Sequence, residues 1–194
     1  MCSLHLRHIR QGLRVNNMKK NVVLIGFMGT GKTSTGKGLA SRLGFSFIDV
    51  DQYIEAKEER KISDIFAQDG EAYFRKVERE AVRELAGRKH LVIATGGGTV
   101  KSEENRKLLQ ENGVIVCLTA DVETILARTR RPGVRPLLDG KDDNARRETI
   151  CTLLEERKEM YSHADVFVDT SERSPLQVVD EIAHYIKREG CTHA

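Results

Sequence analysis

No apolar stretch of this chain approaches the roughly 20 consecutive residues that a membrane-spanning helix needs, so no membrane role is expected. Cysteine is scarce. The four are Cys2, Cys117, Cys151 and Cys191, and none lies in a C-x-x-C pair. They read as free thiols in a reducing cytoplasm rather than a disulfide framework. The six histidines form no metal-spaced cluster, because His5 and His8 share only the N-terminal tail. A protein-bound zinc site is therefore not expected. Acid is missing from the first twenty residues, which carry Arg7, Arg10, Arg14, Lys19 and Lys20. The whole chain is +3, so the rest of it is net −2, and a near-neutral body argues against a nucleic-acid surface. Repeats, low-complexity segments and linkers are also absent. What remains is a chain of 194 residues with 39% apolar and 31% charged content, ordinary values for one well-buried domain.

Residues 1–20 lack the apolar core of a secretory signal. Their basic, acid-free character suggests a targeting peptide. The plainer reading is a disordered or mis-assigned extension, with Met18-Lys19-Lys20 as a natural start. A single domain is expected over 21–189, with a short tail at 190–194.

The most informative stretch is 21–33. Residues 22–25 are apolar and β-branched-rich and stop at a glycine, which predicts a buried strand. Gly26-x-x-x-x-Gly31-Lys32-Thr33 follows, and residues 34–43 read as a helix. Strand, glycine-rich loop, Gly-Lys-Thr and helix together are the context a phosphate-binding loop requires. Glycines let backbone N–H groups converge on phosphates, and the helix N-terminus adds partial positive charge. In such a loop Lys32 reaches the β and γ phosphates and the Thr33 hydroxyl is a Mg²⁺ ligand. A nucleoside triphosphate is the expected ligand.

Residues 45–50 predict a second strand ending in Asp49-Val50-Asp51. Alternation along a strand would point both carboxylates the same way, toward the ligand crevice of an open α/β sheet. Two carboxylates there can hold a hydrated Mg²⁺ and accept a proton from a substrate hydroxyl. The competing reading is that Asp51 caps a helix over 52–58. A short helix over 61–68 carries Ile62, Ile65 and Phe66 on one face. Asp69-Gly70 breaks it, and a longer helix runs over 71–86. In that helix Arg75 and Glu78 are i, i+3 neighbours, and by themselves read as a surface ion pair. A strand over 91–94 leads into Gly96-Gly97-Gly98, which permits close backbone approach to a ligand. Helices follow over 103–111, 121–129, 144–163 and from Pro175 onward, with strands over 114–118 and 166–168. Between them, residues 128–141 hold four arginines and two of the three prolines, the composition of a lid that closes over phosphates. Alternation of this kind predicts a parallel sheet covered on both faces.

The phosphate-binding loop, Asp49-x-Asp51, Phe74-Arg75-x-x-Glu78, Gly96-Gly97-Gly98, Arg135-Pro136-Leu137 and Glu156-Arg157-x-x-x-Tyr161 resemble the shikimate kinases in order and spacing. The resemblance runs over about 21–189. It implies an α/β three-layer sandwich of the nucleoside-monophosphate-kinase type, with a five-stranded parallel sheet in the order 2-3-1-4-5. It further implies transfer of the ATP γ-phosphoryl group to the 3-hydroxyl of shikimate. Asp51 resembles the residue that holds the shikimate hydroxyls and acts as base. Arg75 and Arg157 resemble the carboxylate-binding arginines, and Gly97, flanked by Gly96 and Gly98, the backbone contact. Ile62, Phe66 and Phe74 would wall the pocket. On the ATP side the resemblance covers Gly29, Thr30, Gly31, Lys32, Thr33 and Ser34, and the lid arginine Arg135. Arg128, Arg173 and Pro175 resemble adenine-side positions. Asp49 is similar to the aspartate that holds Mg²⁺ through water. Arg60-Lys61 departs from the family pattern, which often has glycine before that helix. A cytoplasmic monomer with no macromolecular partner is expected. Two other readings share part of the pattern: a gluconate-type small-molecule kinase, and a nucleotide-dependent switch without a small acceptor.

Overall fold

The structure is a computed structural model, described here for residues 20–130 and 138–188. Five parallel strands form one sheet in the order β2-β3-β1-β4-β5. They are β1 (Asn21–Gly26), β2 (Ser46–Asp49), β3 (Leu91–Ala94), β4 (Gly113–Thr119) and β5 (Val166–Asp169). The helices are α1 (Lys32–Leu43), α2 (Val50–Glu58), α3 (Ile62–Ala86), α4 (Glu103–Asn112), α5 (Val122–Arg128), α6 (Asp143–Tyr161) and α7 (Pro175–Arg188). The expected order and layering are both present.

Strand alternation explains the layers. Val22 and Leu24 of β1 and Val114, Val116 and Leu118 of β4 meet Leu39 of α1 and Val178, Val179 and Ile182 of α7. The intervening Val23, Ile25, Ile115 and Cys117 face the other way, onto Ile54, Val77, Ala81 and Leu109. A strand buried on both faces reads as a continuous apolar run, which is why β1 and β4 carry no polar alternation. Burial pushes the Cys117 thiol up to about 12, so it is an inert core residue.

Two local breaks shape the acceptor side. The stretch 62–86 is two helices joined at Gly70, whose backbone (φ 79, ψ 177) no residue with a Cβ adopts easily. Before it, Glu59 ends α2 in the left-handed region at φ 54, a conformation more often left to glycine. Arg60 fills the departure from the family pattern. It pairs with Glu58 at 3.3 Å and Asp69 at 2.7 Å, across the turn. Of the three residues expected on one apolar face of the first half of α3, Ile65 lies in the core, Ile62 is half-buried and Phe66 is exposed.

Candidate active site

The loop between β1 and α1 is shaped by backbone. Gly26 sits at φ 137, and a Cβ there would lie 2.3 Å from the Leu118 carbonyl oxygen. Only glycine lets the loop leave the sheet so close to β4. Lys32 Nζ donates to the carbonyl oxygens of Gly26 and Phe27, both at 2.9 Å, and so is folded over the loop's own backbone. Thr30 Oγ1 donates to the Phe27 carbonyl and Ser34 Oγ to the Gly31 carbonyl. Arg128, at the end of α5, donates to the Gly29 carbonyl at 3.3 Å and to the Thr170 carbonyl at 2.7 Å. The Thr170 hydroxyl in turn lies 3.2 Å from the Thr30 carbonyl.

Thr33 Oγ1 donates to Asp49 Oδ2 at 3.1 Å. Asp49 Oδ1 accepts from the amides of Asp51 and Gln52, so Asp49 is the N-cap of α2. This corrects the strand-alternation argument. β2 ends at Asp49, and Asp51 reaches the site from the first turn of a helix. It is also not the cap. Asp51 is instead a carboxyl pushed up to about 6, first by burial, then by the neighbouring charges of Asp49 and Glu78, with Lys32 opposing. A carboxyl tuned toward neutrality beside a phosphate-binding loop suits proton acceptance.

The decisive geometry is at the glycine turn after β3. A Cβ on Gly96 would lie 2.5 Å from Asp51 Oδ1. On Gly97 it would lie 2.9 Å from Arg157 Nη1, and on Gly98 it would lie 2.9 Å from Arg75 Nη1. Three side chains from α2, α3 and α6 therefore converge on three consecutive residues, a span of roughly 7 Å between the outer Cα atoms. That is the width of a small ring carrying a carboxylate and hydroxyls.

Each arginine has its own support. Arg75 Nη1 donates to Glu78 Oε2 at 2.8 Å, and its Nε and Nη2 edge meets Glu71 at 3.2 and 3.1 Å. Glu71 is exposed, whereas Glu78 is 2% exposed. The pair read from the sequence as a surface contact is therefore half-buried, with one displaceable acid and one fixed acid. Arg157 is 5% exposed, lies over the Phe27 ring at 5.3 Å, and has a buried Nε without a hydrogen-bond partner among the described residues. A buried guanidinium with donors to spare is suited to a carboxylate. Phe74 is buried and Phe66 exposed, with ring centroids 4.7 Å apart, and Ile62 is half-buried in the same helix.

A family model described as shikimate kinase matches residues 28–187. This chain belongs to the shikimate kinase family. The shikimate kinase of Pelotomaculum thermopropionicum is 49% identical over 171 residues, 88% of this chain and 98% of the relative. That of Persephonella marina is 42% identical over 168 residues, 87% and 99% of the two chains. A shikimate kinase from Acinetobacter baumannii, solved in complex with shikimate, superposes with a TM-score of 0.80 at 36% identity, covering 87% of this chain and 93% of that one. As a shikimate kinase family member, the protein is a kinase, with its phosphate-binding loop between β1 and α1.

Arg173 is exposed and pairs with Glu181 of α7, and Pro175 opens that helix on the surface. Arg135 falls outside the described residues. Among the described residues no group of three or more His, Cys, Asp and Glu is arranged to hold a metal ion. Mg²⁺ beside a nucleotide needs less, keeping its waters and taking one or two carboxylates with phosphate oxygens. The Thr33–Asp49 pair is an all-oxygen set of that kind. No helix among the described residues is long and apolar enough to cross a membrane. Sequence reading gives no role to Thr99 or Thr170, and nothing local in the sequence marks either one.

Proposed function

We propose that the protein transfers the γ-phosphoryl group of ATP to the 3-hydroxyl of shikimate, giving shikimate 3-phosphate and ADP. The observation that carries this reading is the meeting of Asp51, Arg157 and Arg75 on Gly96, Gly97 and Gly98. Arg75 and Arg157 hold the carboxylate of the acceptor, and the Gly97 backbone seats its ring. Phe66, Phe74 and Ile62 wall the apolar side. Asp51 holds the hydroxyls and accepts the proton of the attacking one. Its elevated carboxyl, ionised above about pH 6, is matched to that task near neutrality. Gly29 to Ser34 cradle the phosphates, and Lys32 leaves its carbonyl partners to follow the charge on the transferring group. By its resemblance to the family's lid arginine, Arg135 would serve the same group, while Arg128, Arg173 and Pro175 would serve the adenine side. Thr33 directly, and Asp49 through water, would hold Mg²⁺, which when bound supplies charge neutralisation at the phosphates. Positioning and electrostatics then account for catalysis, as they do generally in phosphoryl transfer. The enzyme is read as a cytoplasmic monomer with no nucleic-acid or membrane partner.

A coupled ADP-release assay tests the reading. ADP release is expected with shikimate and Mg²⁺, and only background release with gluconate or without acceptor. Release driven equally by gluconate, or independent of any acceptor, overturns it.

A further inference from the structure

The residue after the glycine turn is not one of the groups that face the acceptor. Thr99 is fully buried and opens a short 3-10 turn, Thr99–Lys101. Its Oγ1 donates to Glu78 Oε1 at 2.8 Å. The other oxygen of the same carboxylate accepts from Arg75 Nη1 at 2.8 Å. On its far side, the Thr99 carbonyl accepts from Asn105 Nδ2 at 3.0 Å, which ties the turn to α4. Glu78 is thus shared, one oxygen to a hydroxyl and one to a guanidinium.

That sharing has a geometric consequence for Arg75. A carboxylate and a guanidinium alone favour the two-bond fork–fork arrangement. With Thr99 occupying one oxygen, Arg75 makes a single bond to Glu78. Its Nε and Nη2 edge then stays turned toward the exposed Glu71, which an acceptor carboxylate can displace. Without the hydroxyl, Glu78 would keep a buried charged oxygen lacking a donor, a costly state. Arg75 can relieve it by swinging into a two-bond fork with Glu78, away from Gly98 and the acceptor. We infer that Thr99 is a positioning residue for the acceptor site, acting through Glu78 to keep one edge of Arg75 available to the acceptor carboxylate. The inference rests on the shikimate reading given above.

Steady-state kinetics of Thr99→Val and Thr99→Ser, alone and in an Arg75→Lys background, test it. Thr99→Val should raise KM for shikimate about tenfold, near the lower end of what a hydrogen bond to a charged group is worth. KM for ATP should stay within about twofold, since the ATP side does not share this network. Thr99→Ser, which keeps the hydroxyl, should restore KM for shikimate. With Lys at position 75 no fork can form, so Thr99→Val should add nothing further. Should Thr99→Val not fold, Thr99→Ala against Thr99→Ser makes the same comparison, Ala raising KM and Ser not. An unchanged KM for shikimate, an equal rise for both substrates, or the same increment in the Arg75→Lys background overturns the inference. The wild-type assay separates the two levels. If wild-type ADP release depends on shikimate and the variants fail to behave this way, only the role of Thr99 falls. If it does not depend on shikimate, the function itself falls.

Discussion

The two halves of the cleft are built in different ways. The nucleotide side is one short piece of chain, Gly26 to Thr33, and its Thr30 hydroxyl and Lys32 ammonium donate to its own backbone carbonyls. The acceptor side is assembled from α2, α3, the glycine turn and α6, and its charges are held by other side chains, Glu78 and Thr99 among them. Backbone carbonyls release Lys32 at little cost when phosphate arrives. A buried acid such as Glu78 does not release Arg75, so that side is preorganised. A cradle built from backbone thus meets a socket built from side chains, and substitutions on the two sides should affect different kinetic constants.

The largest effect is expected on the nucleotide side. Lys32→Ala should lower kcat by on the order of 10³ or more, the scale of a charge that stabilises phosphoryl transfer. Shikimate affinity, measured by calorimetry, should hardly change. Loss of both together would erase the division between the two sides.

Asp51 belongs to both. Asp51→Asn should lower kcat by about 10²-fold if it takes the hydroxyl proton. In the wild type, kcat/KM should fall as pH drops below about 6, where Asp51 becomes protonated, and the variant should lose that limb. An unchanged kcat with a raised KM would reduce Asp51 to a binding residue.

On the acceptor side, Arg75→Lys should raise KM for shikimate on the order of tenfold and leave KM for ATP nearly unchanged, because lysine cannot make a planar fork. Equal changes in both would contradict the socket.

The smallest effect is on stability. The Asp51 carboxyl is raised from 3.8 to about 6 in the fold, so its charged form is the disfavoured one. The destabilisation is absent below the ordinary value, develops as pH rises through that window, and is complete above it. Asp51→Asn should therefore raise Tm by a few degrees at pH 7.5, and the gain should shrink toward pH 4. A variant less stable than wild type at pH 7.5 would mean that the site does not penalise that charge.

The same division governs what the sequence discloses. Gly26 to Thr33 is contiguous, and its chemistry follows from residue type and from the flanking strand and helix. Layering was legible too, because β1 and β4 are apolar on both faces. The acceptor side was legible mainly through family resemblance. Strand alternation put Asp51 in the cleft for the wrong reason, since Asp49 caps α2 and ends the strand one residue sooner than a periodic pattern can register. The Arg75–Glu78 spacing was visible, but Glu78 is buried and bonded to Thr99, which arrives from a different element. Arg157 lies far along the chain from Asp51 and Arg75, and its place over Phe27 is a tertiary fact with no local signature.

The convergence of Arg75 and Arg157 on one acceptor carboxylate is tested most directly by a double-mutant cycle on shikimate affinity, using Arg75→Lys, Arg157→Lys and the double variant in titration calorimetry. Two forks on one carboxylate predict strong non-additivity, the double variant losing clearly less than the product of the single losses. Losses that simply multiply would place the two arginines on separate groups and contradict a single socket at the glycine turn.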